Sequence, residues 1–95
     1  MNPNPLEKDI ESAVCTYAKE QGMLVYKFTS PSRRSVPDRM FITLRGQVFF
    51  IEFKRKGEPL TPGQAREHQR LKEQNVSVYV IDSIVDGKML VELMS

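Results

Sequence analysis

Several features that assign a chain to a class of protein are scarce or missing here. Cysteine occurs once, at Cys15, which excludes a disulfide within the chain and a cysteine metal cluster and fits a reducing cytosol. No apolar run reaches 18 residues, so we expect no membrane span. The amino terminus lacks the basic and apolar regions of a secretory signal, so we expect a cytoplasmic protein.

Charge of one sign is also lacking. Fourteen Lys and Arg residues face 12 Asp and Glu residues, which gives a net charge of +2. An acidic centre would mask positive charge elsewhere, so this value neither supports nor excludes binding of nucleic acid. The 95 residues fit one domain, residues 1–95, in which residues 1–5 are predicted to form a flexible arm.

The most informative segment runs from Val36 to Lys54. It consists of Val-Pro-Asp, an apolar strand, a glycine turn and Phe-Ile-Glu-Phe-Lys. Residues two apart on a strand share a face, so Glu52 and Lys54 project together in line with Phe50, while Phe53 points to the opposite face. Because both faces are apolar over most of the segment, it is predicted to be a central strand covered on both sides.

The two strands of this segment can pair as a hairpin around residues 45–47. With a three-residue loop, Leu44 faces Val48, and Asp38 lies opposite Lys54 on the face of Glu52. A two-residue loop would put Asp38 on the other face, because one step of register reverses every side chain. A functional interpretation of Asp38 therefore depends on the three-residue register.

Two carboxylates beside a lysine are typical of a site for a hard divalent cation. Asp38 and Glu52 would supply oxygen ligands to Mg²⁺ or Mn²⁺. Lys54 would then hold an anionic substrate or a water molecule. The simpler alternative is a surface ion pair at a strand end, which contributes little stability.

Hydrophobic periodicity predicts the remaining elements. Helices are expected over residues 6–22 and from Thr61 to about residue 75, and strands over residues 23–29 and 76–81. Residues 84–94 suit a short helix, although a strand over 88–93 remains an alternative because Gly87 weakens a helix. The fold class is therefore α/β, with a mixed sheet flanked by helices in the order α-β-β-β-α-β-α.

The first helix carries two acids one turn apart, Glu7 and Glu11. On a helical wheel Glu7 lies inside the apolar arc and Glu11 at its margin, and an inward carboxylate requires a partner. A metal site would supply one. Favourable placement of acids in the first turn of a helix is the alternative explanation.

Two other segments are candidates for contact with a substrate. The polar loop that contains Ser30, Ser32, Arg33 and Arg34 directly precedes Val-Pro-Asp and can contact phosphates, although arginines on a loop are usually just solvated. Thr61-Pro-Gly-Gln predicts a capping box that explains Gln64 completely. Gln64 and His68 nevertheless share a helical stripe that faces the sheet, so we expect a role in the site for Gln64 and packing or a substrate contact for His68.

At these residues the chain resembles the PD-(D/E)XK nuclease superfamily. Pro-Asp, thirteen residues and Glu-x-Lys match its signature, and Ile-Glu-Phe-Lys-Arg followed by Leu-Thr-Pro-Gly-Gln resembles the VRR-NUC branch, whose stand-alone members are phage and bacterial nucleases. The likeness spans about residues 6–83. One departure is Ser35-Val36, where the family often has glycine, which leaves Asp38 unaffected.

The resemblance implies a restriction-endonuclease-like core and a Mg²⁺- or Mn²⁺-dependent DNA endonuclease, similar to Holliday junction resolvases. It implies metal binding by Asp38, Glu52, the Phe53 carbonyl and Glu7, with Glu11 as the second choice for the acid of the first helix. Catalytic support is expected from Lys54 and Gln64. DNA contacts are expected at the loop residues named above and at Lys27 and Lys56. We also expect a homodimer that acts on branched DNA, because resolving a four-way junction needs paired cuts.

Two rival interpretations remain open. The chain could be a DNA-binding module that retains the nuclease fold without turnover, or a small structural α/β domain. The intact Asp38, Glu52 and Lys54 argue against the first rival.

Overall fold

A four-stranded mixed sheet forms the centre of the fold. The computed structural model describes residues 5–95, so the predicted arm, apart from Pro5, lies outside the described residues. The elements are α1 (Glu7–Glu20), β1 (Leu24–Lys27), β2 (Arg39–Ile42), β3 (Val48–Phe53), α2 (Pro62–Glu73), β4 (Ser77–Ile81) and α3 (Ile84–Met94). This order confirms the predicted α-β-β-β-α-β-α arrangement.

The strands lie in the order β1-β2-β3-β4. The first three pair antiparallel, and β3 pairs with β4 in parallel through the crossover helix α2. All residues of β3 except Val48 are buried, so the predicted central position of this strand is confirmed. Among residues 5–95, none of the helices has the length and apolar character needed to cross a membrane.

The two faces of the sheet are covered unequally. The main core joins α1 and α3 to one face and contains Ile10, Val14, Ala18, Phe41, Phe49, Ile51, Phe53 and Val91. On the other face α2 packs over β4 and contacts Glu52 of β3 through its side chains, while Leu24, Tyr26 and Val48 stay 53%, 51% and 45% exposed. The main apolar core and the side chain of Glu52 therefore lie on opposite sides of the sheet.

The β2–β3 hairpin differs from its predicted register. Thr43 N–H donates to Gln47 O at 2.9 Å, so the loop comprises residues 44–46 and Ile42 pairs with Val48. The expected pairing of Leu44 with Val48 is wrong by two steps of register. Gly46 accounts for the difference, because its φ of +84° suits the left-handed third position of a three-residue hairpin loop.

The shift preserves the face on which Asp38 lies. Extending the observed pairing of Arg39 with Ile51 by one residue puts Asp38 opposite Glu52 instead of Lys54. A change of two steps leaves every side chain on its original face. Asp38 therefore shares a face with Glu52 and Lys54, as the three-residue loop requires.

The C-terminal segment is a helix, and the alternative strand is wrong. Ser83 Oγ accepts the Asp86 N–H at 3.1 Å and caps the first turn of α3. Gly87 is required there by packing, because a Cβ at this position would collide with Val14 Cγ2 and lie 3.2 Å from Ile81 Cγ2. The residue that weakens the helix locally thus permits the close approach of α3 to α1.

Candidate active site

The Asp38 carboxylate, directly before β2, continues the hydrogen bonding between β2 and β3 beyond the last paired backbone groups. Its Oδ2 accepts the Phe53 N–H at 2.7 Å, in the place that a backbone carbonyl would take in a longer ladder. The N–H and C=O of one strand residue point to the same side, so the Phe53 carbonyl also faces the side on which Asp38 lies. Asp38 and the Phe53 carbonyl thus supply two oxygen atoms at one end of β3.

Glu52 and Lys54 complete this end of the sheet. Their side chains project on one face, and the two residues are 3% and 5% exposed although both carry ionisable groups. Lys54 N–H donates to Ile81 O at 3.0 Å, which ties the end of β3 to β4. The structure therefore brings Asp38, Glu52 and Lys54 to one place, as the sequence pattern predicts.

The protonation of Glu52 reflects this crowding. Burial first, and the negative charge of Asp38 second, raise the pKa of Glu52 to about 8, while the Lys54 ammonium partly opposes the rise. The metal-free protein therefore tends to keep a proton on Glu52 at neutral pH. A cation between the two carboxylates would remove the repulsion that holds this proton.

Helix α2 contacts both carboxylate oxygens of Glu52. Gln64 Nε2 donates to Oε2 at 3.3 Å, and His68 Nε2 lies 3.4 Å from Oε1. Gln64 Oε1 also accepts the Thr61 N–H at 3.0 Å while the Thr61 hydroxyl accepts the Gln64 N–H, so the predicted capping box is present. Gln64 therefore both caps α2 and contacts the site, where its partner is Glu52.

His68 is the second residue of α2 that contacts Glu52, and the sequence indicates this contact only in part. His68 is 3% exposed, and burial first and the Lys72 charge second lower its pKa, which makes the neutral imidazole the main form near pH 7. The contact is therefore a hydrogen bond more than an ion pair. The sequence feature that indicates the contact is the position of His68 four residues after Gln64, which puts both side chains on one face of α2.

The acids of α1 lie at the margin of the site. Glu7 is exposed at the first turn of α1, so the expectation that it points inward is wrong, although its place on the helical wheel is apolar. Burial first and the Asp38 charge second nevertheless raise the pKa of Glu7. Glu11 Oε2 instead accepts the Arg39 Nε–H at 2.6 Å, which leaves Glu7 as the α1 acid beside Asp38.

The oxygen atoms at the end of β3 could hold a hard divalent cation, although few protein ligands are available. Across residues 5–95 no group of three His, Cys, Asp or Glu side chains is assembled as a metal site. The available oxygens are the two carboxylates of Asp38 and Glu52 and the Phe53 carbonyl, and such oxygens suit Mg²⁺ or Mn²⁺, which retain several water ligands.

The residues expected to contact DNA fall into separate places. Arg33 and Arg34 line a cleft against α2. Ser32 is exposed and Ser30 half-buried on the same loop, and Lys27 is exposed at the end of β1. Lys56 lines a different cleft, which also contains Pro5 and Glu58.

Three residues of α2 that sequence reasoning missed share the first of these clefts. Arg66, Glu67 and Arg70 lie beside Arg33 and Arg34. Only Glu67 among the three is buried. The sequence feature that could have identified them is their closeness to Gln64. Helical periodicity alone does not predict a function for exposed arginines.

Comparison with known proteins extends the likeness beyond this site. A curated protein of Acyrthosiphon pisum secondary endosymbiont phage 1, called "Putative nuclease p44", is 43% identical over 77 residues, which span 81% of this chain and 83% of the relative. A solved structure described as a VRR_NUC domain has a TM-score of 0.85 and 29% identity, and the match covers 90% of this chain and 94% of that chain. A scan against models of protein families gives no match.

Proposed function

Because the chain belongs to the VRR-NUC family of nucleases, we propose that it is a metal-dependent endonuclease that hydrolyses phosphodiester bonds in branched DNA. The observation that carries the proposal is the convergence of Asp38, Glu52 and Lys54 at one end of a buried strand. Ionisable side chains are rarely buried together without a function, because each loses hydration. This arrangement favours an enzyme over a binding module without turnover.

The metal would be held by Asp38, Glu52 and the Phe53 carbonyl, with Glu7 linked through water. When bound, Mg²⁺ or Mn²⁺ supplies Lewis acidity and lowers the pKa of a water ligand. Lys54 lies on the face of Glu52, where its ammonium can donate hydrogen bonds to the attacking water and to the phosphate oxygens as their charge increases. Hydrolysis would leave a 5′-phosphate and a 3′-hydroxyl.

Two residues of α2 would keep the Glu52 carboxylate in place. Gln64 and His68 contact different oxygens of Glu52, and each oxygen retains a lone pair for another partner. Because Gln64 also caps α2, the position of this carboxylate is tied to the start of the helix. We assign both residues a positioning role.

A homodimer would supply the paired cuts that a four-way junction needs. Each copy carries the candidate site at the end of β3, and a two-fold axis places two identical copies of this site symmetrically. Leu24, Tyr26 and Val48 form an apolar strip, about half exposed, on the sheet face that carries the site. We propose that a second copy packs against this strip, with Phe28 and Met40, half-buried on the same face, at its margin.

Cleavage assays with a labelled four-way junction and a linear duplex test the proposed activity. The protein is incubated with Mg²⁺, Mn²⁺ or EDTA beside Lys54→Met, which keeps the side-chain length, and Lys19→Met, an exposed control at the end of α1. We expect metal-dependent symmetric nicks on the junction for wild type and the control, and a loss of at least about 100-fold for Lys54→Met. Binding without cleavage under any metal would favour the module without turnover, and neither activity would favour a structural domain.

Sedimentation analysis tests the dimer separately. We expect Tyr26→Glu to produce a monomer, because a charge in the centre of the strip would lose its hydration in the interface. Val85→Glu is the matched control, since Val85 is a 66% exposed apolar residue on α3. A wild-type protein that remains monomeric at high concentration would remove the dimer from the proposal and leave the chemistry intact.

A further inference from the structure

A cleft of about 360 Å³ lies between the loop before Asp38 and helix α2. Its charged lining consists of four arginines and one acid, namely Arg33, Arg34, Arg66, Arg70 and Glu67. Two of the arginines come from the loop and two from the helix, so arginines line the cleft from both sides. The fold itself gains nothing from such a concentration of like charge.

Glu67 organises part of this cleft. Its Oε1 accepts the Arg33 Nε–H at 3.2 Å and lies 3.8 Å from Arg70 Nε. The Glu67 side chain is 9% exposed, whereas those of Arg33 and Arg70 are 47% and 61% exposed. Because these contacts use the Nε atoms, the amino groups at the far end of each guanidinium can meet an anion.

The loop is fixed against the start of α2. A Cβ at Gly63 would lie 3.0 Å from Ser35 Oγ, so the loop approaches α2 more closely than most residues allow. Ser35 itself has a φ of +65°, in the left-handed region that a serine seldom occupies. The close approach at Gly63 and the ion pair of Arg33 therefore define the wall of the cleft before any ligand arrives.

Helix α2 connects the cleft to the catalytic centre through two neighbouring stripes. Gln64 and His68 lie on the stripe that contacts Glu52. Gly63 and Glu67, each one residue earlier, lie on the stripe that lines the cleft. An extended polyanion bound beside Glu52 would therefore pass the arginines as it leaves the site.

We propose that this cleft is a second phosphate site, which binds a backbone phosphate of the DNA strand adjacent to the phosphate that is cut. Glu67 is a positioning residue that holds Arg33 and Arg70 in the geometry of the site. Arginine suits this ligand because its planar guanidinium matches the oxygens of a phosphate with two parallel hydrogen bonds. The inference rests on the proposed function, since it names a further part of the same substrate.

Equilibrium binding tests the site without relying on cleavage. The anisotropy of a fluorescein-labelled four-way junction is followed at several salt concentrations, with EDTA and again with Ca²⁺, for wild type and the double variant Arg66→Ala/Arg70→Ala. Both substitutions are at exposed helix positions, so the fold should be retained. Arg45→Ala in the hairpin loop, at the opposite end of β2, is the matched control.

We expect the double variant to bind the junction at least about 10-fold more weakly than wild type. The slope of log Kd against log salt concentration should also fall by about one to two units, because each lost phosphate contact lowers this slope by about 0.9. The control should match wild type. A double variant that behaves like Arg45→Ala would overturn the site. Absence of wild-type binding at low salt would overturn it as well, whereas cleavage in Mg²⁺ would still support the proposed function on its own.

A neutral methylphosphonate at single positions of the junction identifies the bound phosphate. One position next to the cut should weaken binding of wild type but have little further effect on the double variant, since the contact is already lost. An equal loss for both proteins at every position would contradict a specific phosphate site. It would indicate only a diffuse attraction between the arginines and DNA.

Glu67→Gln tests the positioning role. If only net charge mattered, removing this negative charge would strengthen DNA binding. If Glu67 orients Arg33 and Arg70, binding should weaken by about 3-fold or more although the net charge rises. Tighter binding by a folded Glu67→Gln variant would refute the role of Glu67.

Discussion

Glu52→Gln should make the metal-free protein more stable at pH 8 while it abolishes cleavage. The substitution preserves the size of the side chain and leaves an amide that can still contact Gln64 and His68. It removes the one group in the site that is both buried and strongly repelled by a neighbour, since Glu52 is 3% exposed and lies beside Asp38. The stability of this site and its proposed chemistry should therefore change in opposite directions.

The pKa of Glu52 determines the sign and the range of the effect. Its value in the fold is about 8 against an ordinary 4.5, so the folded state binds more protons than the unfolded state between these limits. The contribution to stability is complete below about pH 4.5 and is lost as the pH rises through about 8. Each pH unit accounts for up to about 1.4 kcal/mol, and because water near the carboxylates screens their repulsion, we expect a total of about 2–3 kcal/mol.

Urea unfolding in EDTA at pH 5 and pH 8 measures this difference. The free energies of unfolding of wild type and Glu52→Gln should lie close together at pH 5, and the variant should be about 2–3 kcal/mol more stable at pH 8. Mg²⁺ at about 100 times its Kd should return about 2.7 kcal/mol to wild type and much less to the variant. Glu20→Gln, which alters an exposed acid at the end of α1, should show neither effect.

One result would refute the reasoning about Glu52. If Glu52→Gln destabilises the protein equally at pH 5 and pH 8, the carboxylate stabilises the metal-free fold in its ionised form. The repulsion by Asp38 would then be absent or fully offset by Lys54. The assignment of these carboxylates as a site that needs a cation would lose its electrostatic support.

Three further predictions concern other parts of the fold. Burial raises the pKa of Cys15 to about 11, so at pH 8 its thiol should react with a disulfide reagent at least about 100-fold more slowly in the folded than in the unfolded protein, and equal rates would contradict this. Gly87→Ala should lower the free energy of unfolding by about 1–3 kcal/mol, and Val14→Ala in the same chain should relieve part of that loss, whereas strictly additive losses in urea unfolding would contradict the predicted clash. Thr61→Ala should lower stability by about 1 kcal/mol and also reduce cleavage, because the Gln64 backbone N–H loses the Thr61 hydroxyl that accepts it and the first turn of α2 is held less firmly, while unchanged unfolding would exclude a role for the cap.

The sequence predicts the elements of this fold well because their signals are local. Apolar alternation identifies β3, and capping residues identify the start of α2. The face of Asp38 is also predictable, because it depends only on whether the loop has an odd or even number of residues. The exact register is not, since it depends on Gly46 occupying the third loop position instead of the second.

The parts of the site that escaped prediction depend on contacts distant in sequence. A helical wheel puts Glu7 in an apolar arc, but it gives no information about which turns of α1 the rest of the fold covers, and Glu7 is exposed. Glu11 is taken by Arg39, 28 residues away, and Arg33 by Glu67, 34 residues away. Such pairs follow from the packing of elements, which no periodicity within one element reveals.

The unequal cover of the sheet explains how so small a domain can tolerate this site. The hydrophobic cluster that joins α1 and α3 to the sheet takes the face of Phe49, Ile51 and Phe53, so polar residues on the other face do not interrupt it. Among the helices of residues 5–95, α2 is the one that packs over that second face, and its residues contact Glu52 through hydrogen bonds. Substitutions at Glu52 should therefore change local protonation and catalysis while the core, and with it the cooperative unfolding transition, stays intact.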